Sequence, residues 1–267
     1  MEELLINQYL RKKGITINGK YFSSDKKIEL KDIISQIELI VELHKTLIGC
    51  RFDDASRIRS TIGKEVEAYK VQIKKLQRHY DYIVSKTSTN EVEKLILSEG
   101  KIMLKQAKKA LNHIYEHDYF GVIKRSMNRE EICIGRIDRS NLRKFEGEFQ
   151  IGTLKGMSYN LVEEDLYNYI KKLQRKEANI DEEELIRTFV YRSHLSFNSL
   201  DYLKGLCSYP KDFLKTWERY KERNKDKSLI DLNCIDNKED KKKKTDEEVL
   251  LELKRSLNYE SKSFIKV

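Results

Sequence analysis

The residues from Ile132 to Leu142, I-C-I-G-R-I-D-R-S-N-L, have the spacing of a loop that transfers phosphoryl groups. Such loops place an aspartate, which accepts the proton of a substrate hydroxyl, five residues before an asparagine that binds Mg²⁺. In this chain Asn141 has the asparagine position, but Arg136 has the aspartate position. A guanidinium is permanently charged and has no acceptor, so it can neither take a proton nor bind a metal ion. The sequence therefore predicts a loop that has lost its base.

Asp138 is the carboxylate closest to the lost base, since it lies two residues after Arg136. A shift of two residues along a tight loop moves a carboxylate by several ångströms, and a misplacement of about 1 Å can cost about 10²-fold in rate. We therefore do not expect Asp138 to replace the base. It remains, with Asn141, the pair that an active enzyme would have to use.

The elements that position this loop are mostly helices. Apolar spacing predicts helices over residues 25–48, 62–83, 90–115, 161–175, 181–193 and 210–223. The second and third are expected to form an intramolecular hairpin, because a short heptad seam runs along the second. Between 132 and 154 the period changes, and I-C-I and E-F-Q-I predict two short strands with Gly147 at the turn.

Three regions follow from this order of elements. Residues 1–24 are expected to form a short helical arm followed by an irregular turn, and residues 25–235 a helical domain. Residues 236–267 contain a lysine run and then a last helix, which Thr245 and Glu248 begin with a capping-box pattern. We expect this tail to dock loosely or to stay mobile.

Composition limits the class of protein. The chain has 267 residues and a formal net charge of +9, and no apolar run approaches the roughly 20 residues of a membrane span. Its first residues are acidic and lack the apolar core of a secretory signal, so we expect a cytoplasmic protein. The four cysteines are far apart, without metal-ligand spacing, and are expected to be reduced thiols.

Three further groups of residues are of types that can bind a metal ion, stack on a base or bind an anion. His113 and His117 share a helix face at the spacing that binds metal when a third ligand is present, but no third ligand is evident in the sequence. We expect these histidines to make hydrogen bonds rather than a metal site. Trp217 and its neighbouring tyrosines are expected to pack in the core. A basic cluster could bind an anionic ligand or balance nearby acids; it consists of Lys124, Arg125, Arg129, Arg136, Arg139, Arg143 and Lys144.

Taken in order, these segments resemble the C-terminal lobe of aminoglycoside and choline kinase-like enzymes, and most closely the spore-coat CotS-type proteins of endospore-forming bacteria. The resemblance covers about residues 29–223. Its specific pieces are Leu43-His44-Lys45, Gly135 with Asn141, Asp165-Leu166-Tyr167 and the segment from Tyr209 to Tyr220.

The resemblance assigns roles to positions of the loop. The family pattern is H-G-D-x-x-x-x-N, so Ile134 has the place of the histidine, Gly135 and Asn141 match, and Arg136 replaces the aspartate. The second strand of the family leads to an aspartate that binds Mg²⁺, and Thr153 has that place here. A neutral hydroxyl brings no charge to a site that prefers carboxylates. Asn141 and Thr153 are therefore vestigial cofactor positions, and Gly135, Arg136, Asp138 and Asn141 form a degenerate catalytic loop.

The implied fold is mainly α with a small β-hairpin, a protein-kinase-like C-terminal lobe. Most of the N-terminal lobe is expected to be missing, because only Gly14 and Gly19 precede Glu29 and they are too far apart for a phosphate-binding loop. Lys20 and Glu29 are therefore not expected to pair around ATP.

The function expected from the resemblance is that of a kinase-like protein without catalysis, which binds another protein in a spore-coat or sporulation assembly and needs no cofactor. Its location would be cytoplasmic and then spore-associated. Two alternatives remain open. One is an active small-molecule phosphotransferase that uses ATP and Mg²⁺ with Asp138 and Asn141. The other is a helical nucleic-acid-binding protein that uses the basic cluster between Lys124 and Lys144.

Overall fold

The computed structural model describes residues 2–23, 29–50, 58–178, 180–230 and 245–260. The chain forms two compact units, Met1–Glu65 with His113–Cys207 (unit 1) and Val66–Asn112 with Ser208–Val267 (unit 2). The expected domain borders, after residues 24 and 235, lie outside the described residues, as does the lysine run. No described helix is both long and apolar enough to cross a membrane.

The described residues are mainly helical, as predicted, with two small sheets. In chain order the elements are α1 (Glu2–Lys12), β1 (Ile15–Ile17), α2 (Leu30–Leu47), α3 (Lys64–Val84), α4 (Glu91–Glu116), α5 (Tyr119–Arg129), β2 (Ile132–Cys133), β3 (Leu142–Phe145), β4 (Glu148–Ile151), β5 (Ser158–Tyr159), α6 (Val162–Arg175), α7 (Glu182–Arg192), α8 (Phe197–Ser208), α9 (Lys211–Ile230) and α10 (Asp246–Glu260).

The predicted helical hairpin is present in unit 2. The seam of α3 is buried at Val66, Tyr69, Ile73, Leu76 and Ile83. Tyr80 of α3 donates its hydroxyl proton to the carbonyl oxygen of residue 97 on α4, over 3.3 Å. The short heptad seam therefore packs within one chain, as its length indicates.

The β structure of unit 1 differs from the prediction in its pairing. The hairpin joins β3 to β4, with Glu146 and Gly147 at positive φ in the turn. β2, which was expected to be its first strand, pairs with β5 instead. β1 lies within the predicted irregular turn and runs parallel to β4, with Ile15 opposite Phe149. Strands of two to four residues carry too little alternation to reveal their partners in the sequence.

The last helix, α10, makes specific contacts with α9 within unit 2. Val249 and Leu253 of α10 are buried. The carboxylate of Glu260 accepts backbone N–H groups of Asp212 and Phe213, at 2.8 and 2.9 Å, in the first turn of α9. These N–H groups have no partner within their own helix, so Glu260 acts as a cap supplied from far along the chain. The expectation of a loosely docked tail is corrected for residues 246–260.

Candidate functional site

The loop between β2 and β3 turns at Gly135, where only glycine fits. Gly135 has φ +78°, and a Cβ atom there would lie 3.0 Å from the carbonyl oxygen of Gly156. A side chain would therefore meet both an unfavourable backbone conformation and a rigid neighbour. This glycine of the predicted motif is explained by local geometry.

A buried carboxylate on α6 holds the start of the loop. Asp165 is fully buried and accepts the backbone N–H groups of Ile134 and Gly135 at 3.0 and 2.7 Å. Oδ2, the oxygen that accepts the N–H of Ile134, also lies 2.9 Å from Nε2 of His44 on α2. Three donors therefore converge on one carboxylate, which satisfies its charge inside the core. His44 and Asp165, two separate pieces of the sequence pattern, act together to position the loop.

Asn141 connects the loop to the end of β4. Its side-chain amide donates to the carbonyl oxygens of Arg136 and Thr153, at 2.8 and 3.1 Å. Its Oδ1 atom accepts the backbone N–H of Thr153 at 2.8 Å. The structure thus brings together the three positions that the sequence singled out, residues 136, 141 and 153. Each polar atom of the Asn141 side chain already has a backbone partner.

Arg136 lies across the mouth of the loop on an aromatic ring. Its guanidinium carbon is 4.1 Å from the centre of the Tyr21 ring, within the range of a cation–π contact. A hydrogen bond with the Thr153 side chain, and then hydrogen bonding and charge from Arg136, lower the pKa of Tyr21. Tyr21 therefore contacts both Arg136 and Thr153, the residues that the sequence pattern predicts at the positions of the base and of the metal ligand. No pattern in the sequence indicates this contact, because it depends on the parallel pairing of β1 with β4.

Asp138 is ionised, and both its oxygens have partners. Oδ1 accepts the backbone N–H and the hydroxyl of Ser140 at 3.0 and 2.6 Å, and Oδ2 lies 2.6 Å from Nζ of Lys172. Nε of Arg136 is 3.3 Å from Oδ2. Burial works to raise the pKa of Asp138, but Lys172 and Ser140 together lower it to about 2. Lys172, which no pattern in the sequence indicates, thus connects this carboxylate to α6 by an ion pair.

These residues do not fit a Mg²⁺ ion with ATP. Mg²⁺ prefers carboxylate oxygens in a regular octahedral arrangement. At the loop it would meet a neutral Thr153, an Asn141 amide already bonded to the backbone, and the Arg136 cation. An Asp138 carboxylate held by a lysine ammonium is also a poor metal ligand. We therefore derive no phosphoryl-transfer step through these residues.

The basic cluster is largely paired with acids. Both edges of the Arg125 guanidinium bind carboxylates, those of Glu131 and Glu163, at distances from 2.7 to 3.1 Å. Burial opposes the charge of Arg125, but these two acids raise its pKa above the ordinary value. Further ion pairs join Arg129 to Glu131, Arg136 to Asp138, Arg139 to Asp32 and Lys144 to Glu42. The pairing favours the interpretation that these cations balance nearby acids.

The other groups that the sequence singled out have clear surroundings. Trp217, Tyr209 and Tyr220 are buried in unit 2, which confirms core packing and leaves their faces unavailable for stacking on bases.

The described cysteines, Cys50, Cys133 and Cys207, are buried and form no disulfide. Burial raises the pKa of the Cys133 thiol, so it is a poor nucleophile.

The pair of histidines gains a neighbour that the sequence did not reveal. Asp201 on α8 lies beside His113, with 3.5 Å between Oδ1 and Nε2. Burial and then the neighbouring His117 lower the pKa of His113. No alternation or spacing in the sequence connects residue 201 to residues 113 and 117, because the three meet only through the packing of α8.

No protein-family model matches the sequence, and no curated protein matches it. Among solved structures, an aminoglycoside phosphotransferase from Alicyclobacillus acidocaldarius subsp. acidocaldarius is similar, with a TM-score of 0.64 and 11% sequence identity. The match covers 97% of this chain and 80% of that one. At this identity the similarity concerns the fold. The described residues of this chain are mainly helical, and their fold is similar to that of this phosphotransferase.

Proposed function

We propose that this chain is a kinase-like protein without phosphotransferase activity, related to the spore-coat CotS type, which acts as a binding or assembly component in sporulation. One observation supports the proposed loss of activity: Arg136 and Thr153, to which the resemblance gives the positions of the base and of the metal carboxylate, both contact Tyr21. The loop keeps its shape through Asp165 and Asn141, while the groups that would do chemistry are replaced.

Calorimetry with ATP tests the absence of activity. ATP is titrated into the full chain with and without Mg²⁺, and we expect no heat that depends on Mg²⁺. Micromolar, Mg²⁺-dependent affinity would overturn the proposal. The double variant Arg136→Asp with Thr153→Asp returns both carboxylates, so an increase in its Mg²⁺ affinity over the natural chain is expected if these two positions are the ones that matter.

The alternative of an active phosphotransferase depends on Asp138. A pKa of about 2 makes this carboxylate a weak base, because general bases work best with a pKa near the working pH. A screen of small alcohols and amino sugars with ATP and Mg²⁺ compares the natural chain with Asp138→Asn. Phosphorylation that appears with the first and disappears with the second would establish the enzyme.

The sporulation role is tested separately from catalysis. An antibody against the chain is used on extracts of growing cells, sporulating cells and purified spore coats of a bacterium that encodes it. We expect the chain in the sporulating cytoplasm and then in the coat, where crosslinking followed by mass spectrometry identifies its protein partner. Equal amounts in growing and sporulating cells, with none in coats, would refute this role.

A further inference from the structure

The end of α4 and the first half of α8 place three metal-binding side chains together in unit 1. His113 and His117 are one helical turn apart, with ring centres 4.1 Å from each other. Asp201 approaches them from α8. One ligand atom from each of the three residues lies within 4.8 Å of the other two. His113 and His117 have the i, i+4 spacing of metal ligands in the sequence, and the fold brings Asp201 to them as a third candidate ligand.

The hydrogen bonds of His117 leave one ring nitrogen with a free lone pair. Nδ1 of His117 lies 2.7 Å from the carbonyl oxygen of His113, and a carbonyl can only accept. Nδ1 must therefore carry the proton, and Nε2 is the atom left to act as a ligand. A backbone carbonyl that fixes the tautomer of a histidine in this way is the usual support of a metal ligand.

His113 supplies an independent observation. Among the described residues, its Nε2 atom is buried and has no hydrogen-bond partner. Oδ1 of Asp201 lies 3.5 Å from this Nε2 atom, so a carboxylate is close to it although the two groups form no hydrogen bond. Buried polar atoms without partners are uncommon, and one explanation for them is an ion bound between them.

We propose that His113, His117 and Asp201 bind a divalent transition-metal ion of the Zn²⁺ type, with water as the fourth ligand. Two imidazole nitrogens and a carboxylate suit Zn²⁺ and exclude Mg²⁺, which prefers an all-oxygen set. In a tetrahedral site with bonds of about 2.0–2.1 Å the ligand atoms lie about 3.3 Å apart. The present separations, of up to 4.8 Å, must shorten by about 1.5 Å at most to reach that value. The ion joins the end of α4 to α8, a role independent of phosphoryl transfer.

Cobalt provides a direct readout of this site. The full chain is prepared without a histidine tag, in a Cys234→Ser background that removes the one thiol outside the described residues. We expect one equivalent of Co²⁺ to bind with the visible absorption of four-coordinate cobalt, and Zn²⁺ to displace it. A chain that shows no stoichiometric Co²⁺ or Zn²⁺ binding would overturn the proposal.

Matched variants assign the ligands. His117→Ala and Asp201→Asn should each weaken Zn²⁺ binding by about 100-fold. Losing a residue that only supports a ligand costs about 10- to 100-fold in metal affinity, and losing a ligand itself should cost at least as much. His194→Ala, which changes an exposed histidine outside the cluster, should leave it unchanged. Circular dichroism confirms that the variants are folded. Binding that survives both ligand substitutions, or that is lost with His194→Ala, would refute the site.

Discussion

Arg136 stabilises the mouth of the loop with contacts that a carboxylate at this position could not make. Its charge lies over the face of Tyr21 and beside the Asp138 carboxylate. A catalytic aspartate there would repel Asp138 and find no attraction in the aromatic face. The surroundings of residue 136 are therefore matched to a cation.

The phenol of Tyr21 reports on this arrangement. Because hydrogen bonding with Thr153 is the largest single cause of its lowered pKa and Arg136 lowers it as well, Thr153→Val and Arg136→Ala should each raise the pKa of Tyr21. NMR titration of ring-labelled tyrosines measures both shifts, with Tyr21→Phe to assign the signal. An unchanged Tyr21 titration in Thr153→Val would contradict the contact.

Asp138 should contribute to stability in a way that depends on pH. Its pKa falls from 3.8 to about 2 in the folded chain, so its contribution is complete above about pH 4 and disappears as pH falls through 2. The shift corresponds to about 2 kcal/mol, and Asp138→Asn should lose this amount at pH 7. Urea unfolding at pH 7 and at pH 2.5 checks the sign: the difference between the two proteins should shrink at the lower pH.

At the scale of elements, the contact of α6 with the loop is the strongest local constraint. Replacing Asp165 with Asn removes a buried charge that three donors share, and breaking such a buried arrangement costs about 3–5 kcal/mol. We expect Asp165→Asn to lose about 3 kcal/mol in denaturant unfolding. Glu42→Gln on α2, which breaks only the exposed pair with Lys144, should change stability by less than about 1 kcal/mol. Equal losses in the two variants would contradict this view of the loop.

The cap that α10 supplies to α9 allows a separate test in unit 2. Glu260→Ala leaves the N–H groups of residues 212 and 213 without their carboxylate, and losing a helix cap costs about 1–2 kcal/mol. Glu247→Ala, at an exposed position of the same helix, serves as the control and should be close to neutral. Thermal unfolding of the two variants distinguishes a specific cap from general packing.

Long helices were predictable from the sequence, and short paired elements were not. The seam of α3 repeats over three heptads, so its buried face could be derived from spacing alone. The strands β1, β2 and β5 have two or three residues each, and their partners are set by folding rather than by local preference. α5 and α8 were also missed. The sequence pattern singles out residues 135, 136, 141 and 153, and their role as a site stays a prediction. The contacts of Tyr21 and Lys172 required the structure, because each reaches the loop from another element.

For the whole molecule, the net charge of +9 is only a weak indication that the chain binds a polyanion such as a nucleic acid. The densest basic cluster is mostly paired with carboxylates. Ion pairs of this kind leave little net field to attract a polyanion. The basic composition alone therefore gives little support to a nucleic-acid function.

Chromatography on heparin tests the origin of any remaining polyanion binding. We expect Arg129→Ala with Arg139→Ala to leave the salt needed for elution almost unchanged, because the carboxylates of Glu131 and Asp32 already pair with these cations. Replacing Lys241, Lys242, Lys243 and Lys244 with alanine should lower it. The opposite ranking, with the arginine variant eluting much earlier, would restore the basic cluster as a binding surface.

The parallel pairing of β1 with β4 has a consequence for the order of folding. Ile17 and Ile151 are partners, so the chain between them must exist before the three-stranded sheet can form. At a synthesis rate of about 5–20 residues per second, the first strand waits on the order of 10 s for its partner. During that time its edge is open to other chains. The contact that places Tyr21 beside Arg136 therefore cannot form until residue 151 has been made, which is after more than half of the 267-residue chain.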